Sequence, residues 1–252
     1  TLTDQMSMLD DKLQVILGAR YQDIDTKNLY KKTKYSSDKL SPSLGLVVKP
    51  FGEDLSFYAS YVEGLSEGVT VSDMTYPTAT NKGETLAPYQ TKQYELGTKY
   101  QVGFWLNTLA LYQIEKPEAY LDSTNLEVKD DAETRSRGIE FSTAGQLTED
   151  LSLMANLAYI DAEYVKSGTA SQVGNTVIGT PDFTAGLGMD YKIPVVDGLS
   201  VNARASYVSE QYLNTDNSLE LPDYTILDLG AKYATKIGGV NTTFRANVNR
   251  VC

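Results

Sequence analysis

The side chains best suited to covalent chemistry are nearly absent. There is no histidine, and the single cysteine, Cys252, is the last residue. A Ser-His or Cys-His nucleophile pair therefore cannot be assembled, and histidine-based or multi-cysteine metal sites fail for the same reason. The carboxylate-rich run Glu127, Lys129, Asp130, Asp131, Glu133 offers hard oxygen ligands for Ca²⁺. It lacks the glycine and terminal glutamate of a recognised loop at the needed offsets, so it reads as a solvated loop.

Tyrosine is the abundant aromatic, with 18 Tyr against 6 Phe and one Trp (Trp105). A ring with a polar tip suits a boundary between water and an apolar phase. Tyr76, Tyr120, Tyr164 and Tyr212 fall in or near polar stretches, where they either contact a ring-bearing or amide-bearing ligand or pack the loops. The net charge is −11 and the 22 basic residues are scattered, which removes the basic stripe of a nucleic-acid binder.

What must position these side chains is legible in the alternation. Leu13, Val15, Leu17, Ala19, Tyr21 share one parity against Gln14, Gly18, Arg20, Gln22. The same period of two returns in Leu55–Tyr61, Tyr94–Tyr100, Leu151–Tyr159, Phe183–Tyr191, Leu199–Tyr207, Leu227–Tyr233 and Phe244–Val248. This is strand spacing, and no window has the roughly 20 consecutive apolar residues of a membrane-crossing helix. Many runs reach about ten residues, longer than the roughly 5–6 usual in soluble sandwiches. The apolar parity often ends on Tyr, as a lipid-facing row does at headgroup level.

Short connections at 9–12, 49–54, 101–104, 147–150, 193–198 and 235–239 alternate with long polar ones at 23–38, 64–88, 117–133, 163–179 and 210–221. They read as periplasmic turns and extracellular loops. The expectation is an all-β, antiparallel, up-and-down transmembrane barrel wall of twelve strands, from Thr1–Leu9 to Val240–Val251. Pro42, Pro88, Pro117, Pro181 and Pro222 are expected near strand starts or loop edges.

Several separate stretches, in order, carry a resemblance: DQMSMLDDKLQVILGARYQ, LSFYASYVEGLSEG, NKGETLAPYQTKQYELGTKY, TLALYQIEKPEAYLD, RSRGIEF, LAYIDAEY, VIGTPDF, LPDYTILDLGAKYATK and FRANVN. Together they resemble the barrel of TonB-dependent outer-membrane siderophore receptors over nearly all of 1–250. The resemblance implies strands ten to twenty-one of a 22-stranded barrel. Residues 1–252 would form a partial barrel domain, with the plug domain and last strand absent and an open half-barrel as the result. It implies a ferric siderophore as transported ligand, no resident cofactor, no covalent chemistry, TonB as a partner through the plug, and residence among lipids of the bacterial outer membrane.

Within that frame Glu95, Glu140, Arg20, Arg204 and Arg245 lie on polar parities. They either form a charged lumen that holds a plug or guides an anionic ligand, or a solvated wall with internal ion pairs. Arg135 and Arg137 share the parity of Ile139 and Phe141. A charge at the bilayer midplane costs about 2–4 kcal/mol, so both belong at the extracellular rim. With the four tyrosines, Arg137 completes the candidate ligand contacts. Two other classes remain: a small passive pore or adhesin, which requires the first strand to close on the last, and an outer-membrane enzyme, which the lack of histidine disfavours.

Overall fold

The computed structural model describes residues 1–29 and 33–251. Cys252 and the tip 30–32 of the first long connection lie outside the described residues. The strands are β1 (Leu2–Met8), β2 (Leu13–Asn28), β3 (Thr33–Val48), β4 (Leu55–Ser66), β5 (Tyr89–Val102), β6 (Trp105–Leu121) and β7 (Val128–Gln146). They continue as β8 (Leu151–Lys166), β9 (Phe183–Lys192), β10 (Leu199–Val208), β11 (Gln211–Tyr212), β12 (Glu220–Leu221), β13 (Tyr224–Ile237) and β14 (Val240–Val251). Among the described residues twelve of these form one antiparallel sheet in chain order, while β11 and β12 form a small separate hairpin. Strand β1 pairs only with β2 and β14 only with β13, so the sheet is open.

The register aligns the expected parities across the sheet. Leu109, Phe141, Leu157, Ala185 and Tyr207 stand side by side on one face. That face is exposed: Leu96, Leu187 and Phe244 are each more than half accessible. Large apolar side chains displayed in a continuous layer demand an apolar medium. On β9, Phe183 and Tyr191 bracket this layer eight residues apart, roughly 27 Å along the strand, which at the usual tilt of about 40° covers about 20 Å of the roughly 25 Å apolar band of outer-membrane barrels.

Several long connections are shorter than the sequence indicates, because strand structure continues into them. The stretch 23–38 is mostly β2 and β3, with Asp23 opposite Asp38 and Asp25 opposite Ser36. Likewise β6 runs to Leu121, β7 starts at Val128, and β8 reaches Lys166. Above the apolar band both faces of a strand meet water, so the ladder persists while the hydrophobic alternation disappears. Pro42 and Pro117 also differ from expectation, lying inside β3 and β6. Each sits just beyond the end of one ladder, since β3 pairs with β4 only from Ser43 and β6 pairs with β5 only as far as Glu115. The missing N–H thus costs no sheet hydrogen bond.

Candidate ligand-binding mouth and inner wall

The polar face of the sheet holds a graded wall. Tyr58 lies flat across β5, its ring where a side chain on Gly97 would stand, 2.5 Å from the position of a Cβ. Its hydroxyl donates to Glu95 at 2.6 Å and Lys99 sits 5.6 Å from the ring centroid. Only glycine leaves room for this arrangement, and the flattened ring keeps the wall smooth. Beside it is a cavity of about 380 Å³ whose lining includes Tyr58, Glu95, Thr108, Glu140, Asn156 and Thr184. Lower down, a groove of about 810 Å³ is bordered by Phe104, Gly145, Met154, Gly188, Asp190 and Arg204. In the register Arg204 stands opposite Asp228, while Lys232 stands opposite Arg245.

At the upper end the connections fold into two modules. In the first, the β4–β5 connection lays Val71 and Ala79 on Val128, with Tyr76, Leu86, Ala119 and Leu121 around them. Asn81 fixes it: its Oδ1 accepts from the Val128 amide at 3.0 Å and its Nδ2 donates to the Val128 carbonyl at 3.0 Å. In the second, Asn217 treats Thr176 the same way, at 2.8 and 3.0 Å, joining the β8–β9 and β10–β13 connections. Each asparagine amide substitutes for a neighbouring strand's backbone pair.

Replacing Asn81 with Ala leaves both polar groups of Val128, a residue 2% exposed, without these partners. An unmet buried group costs about 1–3 kcal/mol, so the Val128 amide should exchange with deuterium roughly 30-fold faster while β5 amides keep their protection. An unchanged Val128 rate would mean that the hydrophobic packing alone holds the loop.

The four candidate tyrosines take different places. Tyr76 belongs to the first module, where burial raises its phenol pKa. Tyr164 is 9% exposed, and its backbone pairs with Gly174 and Asn175 as the β8–β9 connection folds back over β8. Tyr120 presses on Gly168, where a side chain would collide with its ring, and thereby joins the two modules. Tyr212 lies in the β11–β12 hairpin with its phenol pKa raised, first by the charge of Glu220 and then by burial. Arg137 is elsewhere. It lies on the apolar parity one step above Ile139, its Nε donating to Gln113 at 2.8 Å, next to the Arg135–Glu163 ion pair. The structure therefore places Tyr76 and Tyr212 in the upper connections, sets Tyr120 and Tyr164 on the tips of β6 and β8, where strand structure replaces the expected loops, and leaves Arg137 on the outer rim.

Two members of the run at 127–133, Lys129 and Asp131, are tied into ion pairs. Lys129 meets Asp122 at 2.5 Å, holding that carboxyl below its ordinary pKa, and Lys166 meets Asp131 at 2.5 Å. Among the described residues no cluster of three or more His, Cys, Asp or Glu is arranged to hold a metal ion. Sequence reasoning missed Asn81 and Asn217, because an amide that clamps a backbone 41 or 47 residues away has no local signature.

Comparison with known proteins places this arrangement. Residues 2–249 match the family model described as TonB dependent receptor-like, beta-barrel. The chain is 31% identical, over 100% of its length, to the ferrichrome receptor FcuA of Yersinia enterocolitica, covering 34% of that protein. It is 28% identical to the ferrioxamine B receptor of Salmonella typhimurium, over 99% of this chain and 35% of that one. Among solved structures, BauA, the ferric preacinetobactin receptor from Acinetobacter baumannii, shares 35% identity at a TM-score of 0.87, covering 99% of this chain and 37% of that chain. The chain thus spans about a third of the length of the curated relatives it matches.

Proposed function

The chain belongs to the TonB-dependent receptor β-barrel family, a family of transport receptors rather than enzymes, and on that basis we propose that it forms wall and mouth of an outer-membrane receptor for ferric siderophore uptake. The observation that carries this reading is the division of one open sheet into an exposed apolar face edged by aromatic rings and a polar face crowned by ordered loops. The apolar face meets outer-membrane lipid and the polar face lines the path of the chelate. Import is energised by TonB acting through a plug domain, with no resident cofactor and no nucleic-acid partner. Residues 1–252 act as one barrel segment. A small closed pore requires a ladder between β1 and β14, and the order of strands ends at those two edges.

The direct test is uptake of radiolabelled iron presented on siderophores by iron-starved cells with and without the gene for this protein. Uptake should vanish in its absence for at least one chelate and return on complementation; equal uptake of every chelate by both strains would overturn the reading.

Ligand contact is assigned to Tyr76, Tyr120, Tyr164 and Tyr212, directly or through the loops they hold, with Arg137 at the outer rim. Replacing Tyr120 or Tyr212 with Ala should weaken chelate binding about fivefold each, the loss expected from about 1 kcal/mol of aromatic contact, with normal assembly in the membrane. Unchanged affinity in both variants would leave these rings as loop packing alone.

A further inference from the structure

The charge of this chain is not spread evenly along its strands. Four of the five upper connections, 67–88, 122–127, 167–182 and 209–223, together hold ten carboxylates and a single cationic side chain, Lys82. That lysine is bound to Asp73 at 2.6 Å. Three lysines near the adjoining strand tips are also committed, Lys116 to Glu118, Lys129 to Asp122 and Lys166 to Asp131, and Lys92 stands between Glu63 and Glu115 in the register. The connection between β10 and β13 is the most one-sided, with exposed Glu210, Asp216, Glu220 and Asp223 and no cation at all. The fifth connection, at the β2–β3 tip, adds Lys31 and Lys32 by sequence, with Lys27 and Lys34 facing each other on the strand ends beside it, fewer than the ten carboxylates.

The lower polar face has a different character, since Lys99, Arg204, Lys232 and Arg245 lie on its parity there beside Asp190 and Asp228, which leaves charge of both signs. The acidic bias is thus concentrated in the upper connections of this chain. It is also fixed in space, because Asn81 and Asn217 lock the loops that carry it. Asp182, under the second module, registers the local field: burial and the charges of Asp161 and Glu210 raise its pKa.

Resting on the uptake reading above, we propose that this mouth admits ferric chelates of zero or positive net charge and repels anionic ones. Three hydroxamates neutralise a ferric ion, and a pendant protonated amine makes the complex a cation. Three catecholates leave it a trianion. Summed surface charge changes encounter rates by about 10- to 1,000-fold at low salt, and its reach is about 8 Å at physiological ionic strength, the scale of a loop-lined entrance. The charged inner wall left an anionic ligand open; the mouth that any ligand meets first decides against it.

One scaffold tests this: a linear ferric trihydroxamate with a free terminal amine, its neutral N-acetyl form and its anionic N-succinyl form. Binding to the full-length receptor in outer-membrane preparations is measured at low and high salt, with a ferric tricatecholate alongside. The amine form should bind about tenfold or more tightly than the succinyl form at low salt, with the acetyl form between, and high salt should shrink the spread to about threefold or less. The combined variant Glu210→Gln, Asp216→Asn, Glu220→Gln should narrow the low-salt spread without altering binding of the acetyl form. If that variant does not assemble, the salt series on the unaltered receptor decides. A flat or reversed order, or preference for the tricatecholate, overturns the charge proposal and leaves the uptake reading standing. Binding of no ferric chelate at all overturns both.

Discussion

Replacing Leu187 with Arg should cost roughly 2–4 kcal/mol of stability in a lipid bilayer, whereas Thr184→Arg on the same strand should cost well under half as much. Leu187 is 57% exposed in the middle of β9, beside Ala155 and Ala205, midway between the rings of Phe183 and Tyr191. An arginine there has no water to reach without crossing half of the apolar band. Thr184 points to the other face, on the cavity shared with Glu140 and Asn156, where a cation meets water and a carboxylate. Urea titration of the full-length protein in phospholipid, with folded fraction read from its electrophoretic shift, measures both. Equal costs for the two variants would mean that the Leu187 face is not in lipid, and the assignment of faces would fall with it.

The second large effect is expected at a turn. Gly198 precedes β10 with φ of 78°, and a Cβ on it would run into the carbonyl oxygen of Ala234. Its own carbonyl accepts a hydrogen bond from the Ala234 amide at 2.8 Å, which ties the β9–β10 turn to β13. Substitution combines two penalties, about 1–2 kcal/mol for a left-handed non-glycine residue and about 1–3 kcal/mol for forced repacking. Gly198→Ala should therefore destabilise by about 3 kcal/mol. Gly52 separates the two, since its φ is 101° but nothing lies within 4 Å of a Cβ there. Gly52→Ala should show the backbone penalty only, measured in the same titration. If both variants lose the same stability, the close approach to Ala234 contributes nothing and β13 tolerates the shift.

The loops account for most of what lay beyond the sequence. The tyrosines drew attention by their number, yet their roles differ because of what the fold brings to each: Tyr164 disappears under the β8–β9 connection, while Tyr120 becomes the joint between two modules through its contact with Gly168. Arg137, by contrast, was placed at the rim by parity and cost alone, and the register sets it one step above Ile139 on the apolar face.

That contrast follows from the range of the forces involved. A strand has a side-chain period of two, and in this chain its two faces meet media of opposite polarity. Most residues within the apolar band therefore report their face by their chemistry, so strand identity, order and orientation can be read from alternation, and the resemblance of nine motifs then supplied the family. Above the band both faces are wet and the code goes silent, so the sequence marked 23–38 as a loop where the ladder continues through Asp23 and Asp38. The clamps of Asn81 and Asn217, and the separation of an acidic mouth from a lower wall of mixed charge, depend on which distant segments the sheet brings together. Only the tertiary structure decides these, because they are set by through-space geometry between residues that the chain keeps far apart.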